Sequence, residues 1–382
     1  MFRKESMLGK VGVVVVGQTP PPMGGQAVML KYLLEGSYET VRLHHARMSF
    51  SKQLSQTGKF GPAKVLELVN VVWRIVHLRF KYSAKVLYFP PSGPSRLPLY
   101  RDIFILGLTR WLFTDLVLHF HASGLSEYYS RLTRAERWLV RRAMFKASAA
   151  IRISPAAPDE GKFTAARNNF TVLNGIPDIA SGASGPTETD TPVVLFVGLI
   201  CSGKGIDRVL ETAHELMRAE VQFRLVIAGE FDSPATKSRV EGFCLRNGLS
   251  PHVDFPGVVT GAAKKQLFRT ARVFLFPTLF ESETFPVVIL EAMAAGVPTV
   301  ASDWRGIPDM IEDGVSGFLV PNGDPGCCAE KVQLILEDER LRSRLGQSAR
   351  SKYDAKYTLE EHRRSMNEVF SRLTHDIQRR TK

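Results

Sequence analysis

Short, uninterrupted apolar runs, each followed by a stretch with helical spacing, constrain this chain more than any other feature. Val11–Val16, Lys85–Phe89, Leu116–His121 and Ala149–Ile153 are such runs in the first half. Helical stretches lie between them, over Gln26–Leu34, Lys64–Phe80 and Arg131–Ala147. A strand that is apolar at every position is buried on both faces, so these runs predict a parallel sheet covered by helices on either side. Residues 179–192, IASGASGPTETDTP, interrupt the pattern with Ser, Gly, Thr and Pro, which is linker chemistry. The alternation then restarts. Strands are predicted over Val193–Val197, Phe223–Ala228, Val253–Phe255, Val273–Phe276, Thr299–Ala301 and Gly317–Val320. Helices are predicted over Gly205–Arg218, Gly261–Thr270 and Pro286–Ala295, with two more running to the C-terminus. The chain reads as two doubly wound α/β domains. Sites in such sheets lie at the carboxyl ends of strands, and two such domains leave a natural cleft.

Length and composition agree with two cores. The chain has 382 residues, 44% hydrophobic and 23% charged, which excludes wholesale disorder and fibrous structure. The cysteines are Cys201, Cys244, Cys327 and Cys328, with no C-x-x-C, so neither a zinc ribbon nor a disulfide scaffold is expected. That usage fits a reducing cytosol. The start, MFRKESMLGKVGVVVVGQ, reads as a buried strand rather than a signal peptide, because its apolar run is short and no small-residue cleavage site follows. No apolar run reaches the roughly 18 residues of a membrane span. The most apolar region, 97–125, is broken by Arg101, Asp102, Arg110 and Asp115.

The net charge of +12 is unevenly placed. Residues 1–185 hold 25 Lys and Arg against 11 Asp and Glu, a net of +14. Residues 186–382 hold 25 against 27, a net of −2. The first half could face nucleic acid, an anionic membrane or an acidic substrate.

Four segments carry chemistry. In the first, Glu283-Thr-Phe-Pro-Val-Val-Ile-Leu-Glu291 leads from a strand end into a helix. Backbone N–H groups at such a start, with the helix dipole, suit a phosphate or sugar hydroxyls. Pro286 suits the first helical turn. Glu283 precedes the helix, and Glu291 lies about a turn and a half inside it. Two separated carboxylates can each accept paired hydroxyls, at roughly 1.5–3 kcal/mol per charge-assisted bond. A helix with ordinary N-terminal acids would read the same way. The second segment, Gly198-Leu-Ile-Cys-Ser-Gly203-Lys204-Gly205, nearly spells a phosphate-binding P-loop, but Gly205 replaces the Ser or Thr that would hold Mg²⁺. Lys204 still suits a diphosphate, since a cation at a helix start is otherwise disfavoured. The third, Pro20-Pro-Pro-Met-Gly24-Gly25-Gln26, permits close backbone approach to a ligand or is simply a tight turn. The fourth is Leu118-His119-Phe-His121-Ala-Ser-Gly124 at a strand end. Alternation puts both histidines on one side, with His121 nearer the loop. His44 and His45 are read as following the second strand.

These segments, in this order and spacing, resemble the retaining glycosyltransferases of family 4, which have the GT-B fold. The resemblance spans nearly the whole chain and is most specific over 271–321. Asn174-Gly175-Ile176 is similar to the family's Asn-Gly-Ile/Val turn. The resemblance implies two Rossmann-like domains facing a central cleft. Residues 1–183 would bind the acceptor and 190–355 the nucleotide-sugar donor. The C-terminal helix, 356–382, would return to the first domain. It implies that Glu291 holds the ribose hydroxyls and that Glu283 contacts the transferred sugar. The N–H groups of Thr284, Phe285 and Val287 would face the sugar and β-phosphate. Lys204 would neutralise the leaving diphosphate, Gly24 and Gly25 would cover it, and His121 would stand near the sugar. No cofactor and no bound metal are implied. The donor would be UDP- or GDP-linked.

Two positions depart from the family pattern. Leu199 stands where an Arg usually follows the glycine, and Pro286 stands where many relatives have glycine. Arg305 is a substitute for the missing guanidinium, a hypothesis that an Arg305→Ala enzyme with unchanged donor affinity would remove.

The expected activity is retaining hexosyl transfer to a saccharide or lipid-linked acceptor, in surface polysaccharide or glycolipid synthesis. The basic stretches Leu68–Lys85 and Arg131–Lys146 alternate cations with Trp73, Val76, Trp138 and Leu139. They suit a cytoplasmic enzyme peripheral on an anionic inner membrane face, or a solvated helix face over a core. Competing readings are a GT-B nucleotide-sugar epimerase and a non-catalytic basic binding protein. No nucleic-acid module is present in the pattern, so nucleic acid is not an expected partner.

Overall fold

The structure is a computed structural model and describes residues 9–50, 62–180 and 191–381. The chain divides into two compact units. Unit 1 is Met1–Leu173 with Glu360–Lys382, and unit 2 is Asn174–Leu359. Most of the linker expected over 179–192, namely residues 181–190, lies outside the described residues.

Unit 1 is built on β1 (Val11–Gly17), β2 (Val41–Arg47), β3 (Val86–Phe89), β4 (Asp115–Phe120), β5 (Ala149–Arg152) and β6 (Asn168–Thr171). They form one sheet in the order β2-β1-β3-β4-β5-β6, with every pair parallel. Every residue of β3 and β4 is buried, and both are apolar apart from Asp115 and His119 of β4. The helices are α1 (Gly25–Leu34), α2 (Pro62–Lys81), α3 (Arg96–Thr109), α4 (Leu125–Tyr129), α5 (Arg134–Met144) and α6 (Glu160–Phe163). On one side of the sheet, Val71 and Ile75 of α2, Ile105 and Leu106 of α3 and Val140 of α5 share a core with Leu87, Phe89 and Leu118. On the other, Leu30 and Leu33 of α1 meet Phe370 and Leu373 of the C-terminal helix, Leu359–Thr381, over Tyr88 and Val117. Helix α5 starts at Arg134, not Arg131, because Thr133 and Glu136 form a reciprocal capping box there. His44 and His45 lie within β2, opposite Val14 and Val15, rather than after it. Edge-strand residues can be polar on the outward face, so β2 had no apolar run to mark its end.

Unit 2 carries β7 (Val193–Val197), β8 (Arg224–Ala228), β9 (Val253–Gly257), β10 (Ala271–Phe276), β11 (Thr299–Ser302) and β12 (Gly317–Val320). Their order is β12-β11-β10-β7-β8-β9, again all parallel. Its helices are α7 (Ile206–Arg218), α8 (Pro234–Arg246), α9 (Gly261–Thr270), α10 (Val287–Ala294), α11 (Ile307–Met310), α12 (Pro325–Glu337) and α13 (Glu339–Lys356). The C-terminal helix of unit 1 is then α14. The strand order reverses between β7 and β10 in unit 2, and between β1 and β3 in unit 1. Loops leaving the carboxyl ends of strands at such a reversal diverge and open a crevice. Among the described residues no helix is long and apolar enough to cross a membrane.

Candidate active site

In unit 2 the two loops at the reversal point carry the predicted groups. The loop after β7 runs through a 3₁₀ turn, Ser202–Lys204, into α7. The loop after β10 runs from Pro277 to Pro286. Leu279 N–H donates to the Gly203 carbonyl at 3.1 Å, and Ser302 Oγ donates to the Thr278 carbonyl. Gly205 is glycine for a local reason. Its φ is +86°, and a Cβ there would stand 2.2 Å from the Pro277 carbonyl oxygen. A Cβ on Gly198 would meet only ring carbons, at 3.7 Å or more, so packing does not demand glycine there.

The stitched loops bring Lys204 and Glu283 together across 79 residues as an ion pair. Their side chains are 19% and 10% exposed. The ammonium also lies 4.9 Å from the Phe280 ring centre and 5.8 Å from that of Phe276. A cation set over aromatic faces is attracted to the rings and held in position.

Helix α10 begins at Val287, and Pro286 is its N-cap rather than its first helical residue. The N–H groups of Val287 and Val288 precede the intrahelical ladder. Thr284 and Phe285 lead into this end and are buried. Both ends of α10 are held. At the start, the Asn174 side-chain amide donates to the Phe285 carbonyl at 3.4 Å, and the Phe285 ring packs edge-on to Tyr357, centroids 5.6 Å apart. At the end, Arg350 donates to the Ala294 carbonyl and pairs with both oxygens of Asp178 at 2.8–2.9 Å. Asp178 and Asp354 together raise the Arg350 pKa, so the clamp is permanently charged.

Glu291, on α10, is met by Lys264 of α9, whose ammonium lies 2.7 Å from Oε1 and 2.6 Å from Oε2. Burial pushes the Glu291 carboxyl above the usual range, and Lys264 pulls it back. Sequence reasoning missed Lys264. It sits in a Lys264-Lys265 pair that looks like any solvated helix face, and only the fold brings it to Glu291.

Arg305, with φ +53°, follows β11 and lies over its neighbour Trp304 at 5.2 Å. Trp304 Nε1 donates to the Phe280 carbonyl at 2.9 Å, which attaches this loop to the one beneath Lys204.

Unit 1 presents the other predicted residues. Gly24 caps α1 and Gly25 opens it, just beyond β1, with the Gly24 carbonyl accepting from Val28 N–H at 3.0 Å. His121 follows β4, two strands away in the sheet order. Its ring lies 4.0 Å from that of His119, centroid to centroid. His119 Nδ1 is hydrogen-bonded to the Tyr88 hydroxyl, and His362 of α14 pairs with the Leu173 carbonyl at 2.8 Å. Burial, then the neighbouring His362, hold His121 down to about 3. His119 and His362 are lowered by burial too. These three histidines are therefore neutral imidazoles at neutral pH, able to donate or accept one hydrogen bond but not to bring a positive charge. The loop after His121 is fixed by Glu160, 1% exposed, which accepts from Gly124 N–H at 2.8 Å and from Ser126 N–H at 2.9 Å.

Among the described residues no group of three or more His, Cys, Asp or Glu is placed to hold a metal ion.

Comparison with known proteins places this geometry. Residues 181–352 match the family described as glycosyl transferases group 1. The alpha-D-kanosaminyltransferase of Streptomyces kanamyceticus is 30% identical over 326 residues, covering 79% of this chain and 81% of that protein. The chain belongs to the group 1 glycosyl transferases. Against three further curated relatives it spans only 31–49% of their length. Sucrose-phosphate synthase from Thermosynechococcus elongatus superposes with a TM-score of 0.72 at 19% identity, over 96% of this chain and all of that one. An Anabaena protein solved in complex with UDP and glucose gives 0.70 at 17%, over 94% and 99%. The fold is GT-B, two parallel six-stranded α/β units.

Proposed function

We propose that the protein is a retaining glycosyltransferase that moves a hexosyl group from a nucleoside diphosphate donor to a saccharide or lipid-linked acceptor, without a bound metal. The observation that carries this is the pair of carboxylate–lysine couples flanking the start of α10, Lys204 with Glu283 and Lys264 with Glu291. A nucleotide sugar offers two things to such a place. Its ribose diol suits the Glu291 carboxyl, which Lys264 orients. Its diphosphate suits Lys204 and the N–H groups of Thr284, Phe285 and Val287. The diphosphate gains charge as the glycosidic bond breaks, and a cation held over aromatic rings stabilises that change. Glu283, freed from Lys204 by the diphosphate, accepts hydroxyls of the transferred sugar.

The family resemblance would assign Gly24 and Gly25 to the diphosphate and neutral His121 to the sugar. The acceptor hydroxyl attacks the anomeric carbon on the face the diphosphate leaves. Its proton passes to a diphosphate oxygen. The UDP and glucose of one Anabaena structure and the UDP-glucose of another support a UDP-type donor. The reducing-compartment cysteines support a cytoplasmic setting.

The test is thermal stabilisation by a panel of UDP- and GDP-sugars, with wild type and Glu291→Ala side by side. The expected result is stabilisation by one nucleotide series that the variant loses. Stabilisation by none would overturn the donor assignment, and a product with the sugar epimerised instead of transferred would overturn the reaction.

A further inference from the structure

We propose that the outward face of α2, α3 and α5 in unit 1 is a docking surface for an anionic lipid bilayer. Each of these helices buries one side in the core beneath the sheet. On α3 the other side is a line of large apolar groups: Leu97, Tyr100, Phe104 and Leu108, continued by Trp111 in the turn that follows. Steps of three and four residues put them on one stripe. On α2 the stripe is Val65, Val69, Trp73 and Phe80, and on α5 it is Trp138. Helix α3 packs against both α2 and α5, so the stripes adjoin. Among the described residues nothing covers them. Trp73 is 64% exposed, Phe80 65%, Trp111 58% and Trp138 60%. Single exposed apolar side chains are ordinary, but a contiguous patch of this kind marks a partner.

The charges on the face select the partner. The Arg142 guanidinium stands between two of the tryptophans, 5.2 Å from Trp111 and 5.8 Å from Trp138. Arg110 lies 4.9 Å over Trp111. Arg134 and Arg141 are exposed beside them. The acids on these helices already have partners, Glu136 accepting from the Tyr100 hydroxyl as well. Asp102 is fully buried, holding the Ser92 N–H at 2.7 Å; Glu136 closes the α5 capping box; and Glu67 pairs with Arg74 at 2.8 Å. A second copy of the face would set arginine against arginine. The complement is a surface both negative and apolar, which is what an acidic headgroup layer over acyl chains offers. Tryptophan rings with adjacent arginines take their place at that boundary.

The sequence supplies its own probe. Of its four tryptophans, Trp73, Trp111 and Trp138 are on this face, and Trp304 is in unit 2. The full chain is mixed with vesicles of phosphatidylcholine alone, or with phosphatidylglycerol in equal part, the acyl chains carrying bromine. The expected result is co-sedimentation, a blue-shifted emission and quenching with the anionic vesicles only, all weakened by salt. Arg142→Gln weakens that binding about fivefold, and Trp111→Gln with Trp138→Gln by about tenfold or more. Three results would overturn the proposal: no quenching on anionic vesicles, equal binding by the double variant, or a concentration-dependent dimer of the wild type that the double variant abolishes. The donor-induced thermal shift of the same variants, read in parallel without lipid, reports folding and keeps this outcome separate from that of the donor assignment.

Discussion

Units 1 and 2 are each six parallel strands under helices, yet they handle charge in opposite ways. In unit 2, cations and carboxylates meet at the strand ends, as Lys204 with Glu283 and Lys264 with Glu291, and the half of the chain that holds them is almost balanced at −2. In unit 1, the strand ends present glycines and neutral histidines, while the excess cations of the +14 half lie on the helices, among them the outward arginines of α5. Net charge therefore did not mark the candidate site. The neutral half holds the charged chemistry, because paired ions cancel in a count while still acting locally.

That contrast can be broken by experiment. The largest expected effect is in unit 2. Lys204→Ala should lower kcat by roughly a hundred- to a thousandfold, the usual cost of losing one stabilising group on developing charge. An unchanged kcat would remove it from the leaving-group role. Glu291→Gln should raise the donor KM by about tenfold to a hundredfold with a smaller change in kcat, as expected for lost hydrogen bonds to the ribose. A change confined to kcat would contradict that assignment.

Acid should separate the units next. Five histidines are held below the ordinary value, and His44, His45, His119, His121 and His362 all belong to unit 1. Each binds its proton more readily unfolded than folded. Their contribution is complete above pH 6.5 and is lost as pH falls, down to about 3 for His121. The slope is about 1.4 kcal/mol per pH unit for each fully buried histidine. Buried Glu160, whose carboxyl is raised, opposes this over part of the range. Hydrogen exchange at pH 5 and pH 7.5 should show unit 1 opening first, and earlier opening of unit 2 would contradict it. A smaller effect is expected at the C-terminal end of α10, where Arg350→Ala should cost about 1–2 kcal/mol, discounted because the guanidinium is 32% exposed. Calorimetry would read it. The smallest is none at all, since a chelator should leave the transfer rate unchanged.

Much of the fold was legible because buried parallel strands are largely apolar, and β1, β3 and β7 show it plainly. The edges were not. Strand β6, Asn168–Thr171, is polar at three of four positions and gave no signal, and β2 gave no clear end. At the site, residue types were readable, but pairings were not. Glu283 and Lys204 were each foreseen as ligand groups, not as partners. Lys264 was invisible, because its role depends on where α9 crosses α10. Asn174 was noticed only through a family turn, while its task, fixing the Phe285 carbonyl, is purely spatial.

The Lys204–Glu283 contact has one more consequence. A cation already answered by a carboxylate has little left to offer a stray anion. Free phosphate must displace Glu283 with one group and no anchor. On the proposed donor assignment, a nucleotide sugar would arrive tethered at Glu291 and bring hydroxyls that give the displaced carboxylate new partners. By that assignment the paired groups would discriminate against small anions and favour a molecule long enough to engage both ion pairs at once.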